Sequence, residues 1–238
     1  MEHGVAVNLA ASGCGPIGHN GRASEWDAAH PRDEPPSPLN HPAVGGRLDC
    51  AAFVPLRLHM PYDHFEHRHR FAMWTGARAA QRGLASTKTL CGAIEVTSVR
   101  KFLRDPESLD IDAKRFESRH REWCNVALEY LFKQGVESVT FGRVAKLFAV
   151  YLKAMVVVGE GSQSKLAAVI HPPIDRTLLQ RLAATAAIDA PYRARWRSVA
   201  WTKLTEGDYY SLLAELRAVL ADEDPWWKLE EYWNVASD

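Results

Sequence analysis

From Asp63 onward, apolar residues recur every three or four positions in stripes separated by short breaks rich in Gly, Pro, Ser and Thr. That spacing predicts amphipathic helices, and no convincing run of alternating apolar residues interrupts it. A first helix is predicted from Asp63, with Glu66 in the capping-box position and Gly83 as the stop. Its packing face is predicted to hold Phe71, Trp74 and the alanines at 72, 77, 79 and 80. Helices over Thr87–Glu95, capped by Ser86, and Ser98–Arg104, halted before Pro106, follow. A long helix spans about Asp112 to Gln134, with Phe116, Trp123, Val126, Ala127, Tyr130 and Leu131 as its stripe and Gly135 as its end. After the link VESVTF, Gly142 leads into a helix that runs to Val158 and stops at Gly159. The last helices are predicted over Ile174–Ala184, from Thr205 to about Asp222 and over Trp226–Val235, with an arginine-rich aromatic link (YRARWRSVAW) between the first two. The predicted fold class is all-α.

Residues 1–47 do not share this pattern. Gly, Pro, Ser, Asn and His dominate, and Pro31, Pro35, Pro36, Pro38 and Pro42 forbid a long helix, so a disordered leader is predicted. Residues 48–238 are then one helical domain, opening on an irregular segment broken by Pro55 and Pro61. No apolar run reaches the roughly eighteen residues of a membrane span, because Lys146 and Lys153 interrupt the longest one. The N-terminus lacks a charged-then-apolar secretory pattern. Cys14, Cys50, Cys91 and Cys124 are scattered, with no CxxC, which predicts reduced thiols, a cytoplasmic protein and no structural zinc.

Charge alters the picture by its distribution, not its total of zero. Residues 66–165 hold 17 Lys+Arg against 11 Asp+Glu, and residues 166–204 hold 6 against 2. Residues 205–238 reverse the sign, with 2 against 9. A basic body and an acidic tail suit a protein that turns one side to nucleic acid; ordinary solvated helix faces give the same count. His64, His67 and His69 open the first helix, but only His64 and His67 share a face and no further ligands cluster with them, so no metal site is predicted.

The chemistry concentrates in residues 141–182. Lys146 sits among Val144, Leu147, Phe148, Val150 and Tyr151, and Asp175 opens a helix after His-Pro-Pro-Ile. A buried lysine near other cations loses its proton more easily and becomes a nucleophile; Arg143 and Lys153 are the cations nearest in sequence. A fixed carboxylate stabilises the positive charge that develops on a sugar when its glycosidic bond breaks. The bland readings are that Lys146 carries its ammonium to solvent and that Asp175 merely caps its helix.

The order of lysine helix, loop, proline-flanked aspartate and helix resembles the OGG-fold DNA glycosylases of the helix-hairpin-helix superfamily, most closely their archaeal 8-oxoguanine (AGOG) branch. That branch carries two lysines seven apart on an apolar helix, followed by a Pro-Val-Asp-type motif. Lys146 and Lys153 keep the spacing, and Pro173-Ile174-Asp175 has the form. The resemblance implies a helix-hairpin-helix bundle that flips a modified or damaged base out of DNA and excises it without a cofactor, acting as a monomer. By the same resemblance Lys146 is the nucleophile that forms a Schiff base with the sugar, and Asp175 the essential carboxylate. It implies base-stacking roles for Trp74 and Trp226, in a pocket with Val150 and Lys153. Flipping also needs phosphate contacts, for which Arg68, Arg70, Arg143, Arg176, Arg193, Arg195 and Arg197 are available.

Two departures stand out. The superfamily's hairpin glycines are closely spaced, whereas Gly135 and Gly142 are seven apart. The archaeal type has an aromatic residue where this chain has Val150, so its substrate does not transfer; a modified phage base, and a defence role, fits as well as repair. Two other expectations stay open. One is a non-catalytic helical nucleic-acid-binding or interaction module. The other is a nuclease built on the His-Arg cluster at 64–70.

Overall fold

Helix starts along the chain are fixed by side chains that accept otherwise unpaired backbone N–H groups. Asp63 takes the Glu66 amide at 2.7 Å and opens α1 (His64–Gln81). Ser86 opens α2 (Thr87–Glu95) and Asp112 opens α4 (Ala113–Lys133), with the short α3 (Val99–Arg104) between them. Thr140 opens α5 (Phe141–Leu152), and Ser164 opens α6 (Lys165–Val169). Asp175 opens α7 (Arg176–Ala184), α8 spans Ala190–Ser198, and Thr205 opens α9 (Glu206–Arg217) with a reciprocal box through Asp208. The computed structural model describes residues 62–185 and 188–233, and they contain helices and turns but no strand. The expected leader and nearly all of the irregular segment after it lie outside these residues.

α5 is the core of the bundle. Ten of its twelve residues are buried, as expected for a helix apolar on every side. α1 and α4 pack against it, and α9 closes another side. α1 meets it through small residues, Ala72, Gly76, Ala77 and Ala80, which bring the two backbones close. Phe71 and Trp74 therefore do not pack inside as predicted; they are 58% and 54% exposed. Val126, predicted within the α4 stripe, is also exposed, while Phe116, Trp123, Ala127 and Leu131 are fully buried.

Several elements depart from expectation. Glu66 does not complete a capping box; its buried carboxylate binds Arg70 and Arg100 instead. α5 does not continue as α-helix to Val158 but widens into a π-helical turn over Lys153–Val157. α6 and α8 fall where links were expected, and the last helix is a 3-10 helix over Trp226–Tyr232. No helix among the described residues is long and apolar enough to cross a membrane.

Candidate active site

Lys146 points from the middle of α5 to the start of α7, where Pro172 and Pro173 keep the chain extended up to Asp175. Its Nζ donates to Asp175 Oδ2 at 2.9 Å, with only 7% and 10% of the two side chains exposed. Asp175 Oδ1 accepts the Leu178 amide at 2.9 Å, so the same carboxylate caps α7. The ammonium also lies 4.7 Å from the centre of the Trp201 ring, a cation–π contact.

Trp201 is placed by a 3-10 turn (Trp201–Lys203) that lies against the start of α5. Thr140 donates to the Thr202 carbonyl at 2.9 Å, and Gly142 N–H to the Leu204 carbonyl at 3.1 Å. A Cβ at Gly142 would lie 2.3 Å from the Trp201 carbonyl oxygen, so only glycine permits this approach. The Gly142 amide is thereby used inside the protein, not presented to a phosphate. Gly135, with φ of 78°, ends α4.

Burial is the main influence on Lys146 and lowers its pKa from the ordinary 10.5. Asp175 opposes that shift, and the Arg82 charge at the end of α1 assists it. Arg82 is thus the cation that matters, not Arg143 or Lys153. Moving one proton from Nζ to Asp175 would give a neutral amine and a carboxylic acid in one buried pair.

Both groups open onto a cleft of about 390 Å³. Phe71, Thr75, Ala79, Val150, Ala154, Val158, Pro173, Leu178 and Trp233 form most of its wall, with Lys153 and Glu230 completing it. Lys153 forms an ion pair with Glu230. Val150 and Lys153 therefore reach the site expected of them. Trp74 is not in the wall, although its ring lies 6.3 Å from that of Phe71, which is. Trp226 lies elsewhere, 5.9 Å from His171 and lining a second cleft of about 540 Å³. Sequence reading missed Phe71, Glu230 and Trp233 as wall residues; an aromatic close to charge, Phe71 after Arg70 and Trp233 after Glu230-Glu231, was a signal, but only tertiary packing joins them.

The proposed phosphate ligands divide. Arg70 is bound by Glu66 at 2.7 Å, Arg195 by Glu215 at 2.5 Å, and Arg197 donates to the Ala183 carbonyl at 3.0 Å. Arg68 lies 3.9 Å from Glu160. Arg176 is exposed next to Asp175, and Arg143 has a buried Nη1 without a partner; Arg193 has a buried Nε in the same condition. The 64–70 histidines diverge: His67 bonds Tyr62 at 2.7 Å, and His69 is buried between Tyr151 and Glu95 at 2.9 and 2.8 Å. A fully buried His69 cannot meet an RNA backbone. Among the described residues, no three His, Cys, Asp or Glu converge as a metal site.

A second polar cluster lies inside the bundle. His120 Nδ1 bonds the Tyr210 hydroxyl at 2.9 Å, His171 Nδ1 the Tyr209 hydroxyl at 3.3 Å, and the two imidazoles stack edge-on at 4.8 Å. Burial pushes His120 down to about 3, with the Arg121 charge assisting, and pushes His171 well below its usual value. Both are neutral structural hydrogen-bonders. Cys124 beside them is buried and free, and Cys91 is also free.

Compared with known proteins, the chain matches no family model, no curated protein and no solved structure.

Proposed function

We propose that the protein is a DNA glycosylase that excises a flipped-out modified or damaged base, with Lys146 as nucleophile and a strand-cleaving lyase step. The observation that carries this reading is the buried Lys146–Asp175 pair, 2.9 Å apart, at the wall of a largely apolar cleft. An amine and a carboxylate held together out of water fit the activated-nucleophile arrangement. Asp175 takes the proton of the Lys146 ammonium, and the freed lone pair attacks C1′ of the sugar. The glycosidic bond breaks with its electron pair on the base, which takes the proton back from Asp175; the restored carboxylate faces the positive sugar. The C1′–O4′ bond then opens as the bound Nζ gives up a proton that passes to O4′, which leaves a protonated Schiff base on Lys146; loss of a C2′ proton from it expels the 3′ phosphate. A base in duplex DNA must leave the stack to reach such a cleft, and exposed aromatics at its wall suit that. Val150 leaves room where an aromatic would narrow the pocket, which supports a modified base, including those of phage DNA, over the repair substrate of the resembled branch.

One observation favours a second reading, a helical nucleic-acid-binding module without chemistry. Asp175 has a complete structural role as the cap of α7, whether or not it takes part in a reaction. Borohydride trapping on duplex DNA with an abasic site separates the two. The glycosylase reading expects a covalent adduct that Lys146→Ala abolishes; binding without any adduct would leave only the module.

A further inference from the structure

The cleft contains few polar side chains: Thr75 and two lysine–carboxylate pairs. The first pair, Lys146 with Asp175, is taken up by bond breaking. The second joins Lys153, the first residue of the π-helical turn, to Glu230 in the 3-10 helix near the C-terminal end of the described chain. π-helical turns interrupt α-helices most often where a side chain has a function to serve. Glu230 is no surface partner, since 14% of its side chain is exposed.

The pair's hydrogen-bonding capacity is only partly used. Lys153 Nζ donates to Glu230 Oε2, which leaves further N–H donors on the ammonium and Oε1 as an acceptor. A donor and an acceptor thus stand side by side at the wall of an otherwise apolar cleft. Flanking them, Phe71 and Trp233 line the same cleft with 58% and 39% of their surfaces open, rings on which a flat molecule could stack. Apolar walls with one or two placed polar groups are how small-ligand pockets gain orientation.

We infer that Lys153 and Glu230 together read the edge of the flipped base, Glu230 being the specificity-determining carboxylate; this rests on the glycosylase reading above. The substrate class is a neutral base whose edge places an N–H donor beside an acceptor, the donor facing Glu230 Oε1 and the acceptor facing Lys153. A base alkylated at that edge loses the donor and is excluded.

The test exploits the abasic site, which offers a sugar to Lys146 and nothing to Glu230. For the full chain, base release from duplexes carrying 8-oxoguanine, 5-hydroxymethylcytosine or 5-hydroxymethyluracil is divided by trapping at a preformed abasic site. This ratio does not depend on how much of a variant folds. Glu230→Gln and Lys153→Met should each lower the ratio about tenfold, the size of one lost base-edge contact. An unchanged ratio in both variants overturns the inference while leaving the glycosylase reading intact. So does release of none of these bases by a wild-type protein that traps abasic sites. Absence of trapping by the wild-type chain removes the glycosylase reading itself, and the inference with it.

Discussion

Asp175 divides its carboxylate between Lys146 and its own helix, Oδ2 taking the ammonium and Oδ1 the Leu178 amide, each at 2.9 Å. A capping aspartate and a reactive one are usually alternatives. Here the cap fixes the carboxylate's orientation, so the second oxygen meets Lys146 without a further positioning group.

Removing one partner alone should cost more than removing both. Asp175→Ala loses a cap, about 1 kcal/mol, and strands a buried ammonium, for which about 3–5 kcal/mol is typical. The Lys146→Met/Asp175→Asn double variant should recover most of that loss in denaturant midpoint while forming no borohydride adduct. Additive losses would show that the two groups do not act as a pair.

The pH response of Lys146 has a definite sign. Its folded pKa is lowered from 10.5, so the folded chain binds fewer protons than the unfolded one between those values, and stability rises with pH across that window. Arg82→Ala should move the lysine's titration upward by removing a repelling charge. Asp175→Asn should move it downward by removing the group that raises it. NMR titration after isotope-labelled reductive methylation reads both.

Acid should weaken the fold through its buried imidazoles. His120 titrates near 3 when folded and near 6.5 when unfolded, so its contribution is fully present above about 6.5 and is lost as pH falls toward 3. His171 acts in the same direction. Melting temperature should fall steadily from pH 6.5 downward, and His120→Phe should flatten that slope even though it leaves the Tyr210 hydroxyl unpaired.

Gly142→Ala should disturb the site from a distance. The added methyl meets the Trp201 carbonyl at 2.3 Å, a contact the backbone must relieve. A stability loss of about 1–3 kcal/mol is expected. Displacement of Trp201 should also lower the adduct yield at Lys146, measured beside the denaturant midpoint.

DNA binding should sort the arginines by their existing partners. Charge reversal at Arg176, exposed beside Asp175, should weaken binding to any duplex and reduce its salt dependence by about one ion. Arg70→Ala, already paired with Glu66, should change neither in a salt-series binding titration.

Much of this fold was legible because its punctuation is local. Asp63, Ser86, Asp112 and Thr205 are caps readable from residue type and spacing, and Gly83 and Gly135 have the positive φ that their helix ends require. Lys146 and Asp175 were legible as a pair because each is a charge among apolar neighbours. Glu230, Trp233 and Arg82 were not, since their meeting with Lys146 or Lys153 comes from packing of segments far apart in sequence. Phe71 and Trp74 misled because size suggested core, whereas the α1–α5 contact admits only small residues. Trp226 misled because it lies in the other cleft, against Arg217 and against His171 from a segment far apart in sequence.

The widened turn at Lys153–Val157 puts α5 out of step with itself. In an unbroken α-helix, the twelve positions from Lys146 to Val158 would leave the two side chains about 120° apart around the axis. The extra residue per turn absorbs that excess, and Val158 returns to the wall that Lys146 and Val150 begin. The turn is equivalent to a one-residue insertion, so deleting a single residue within it should restore an unbroken α-helix and leave Val158, then eleven positions from Lys146, about 20° from it and still in the wall.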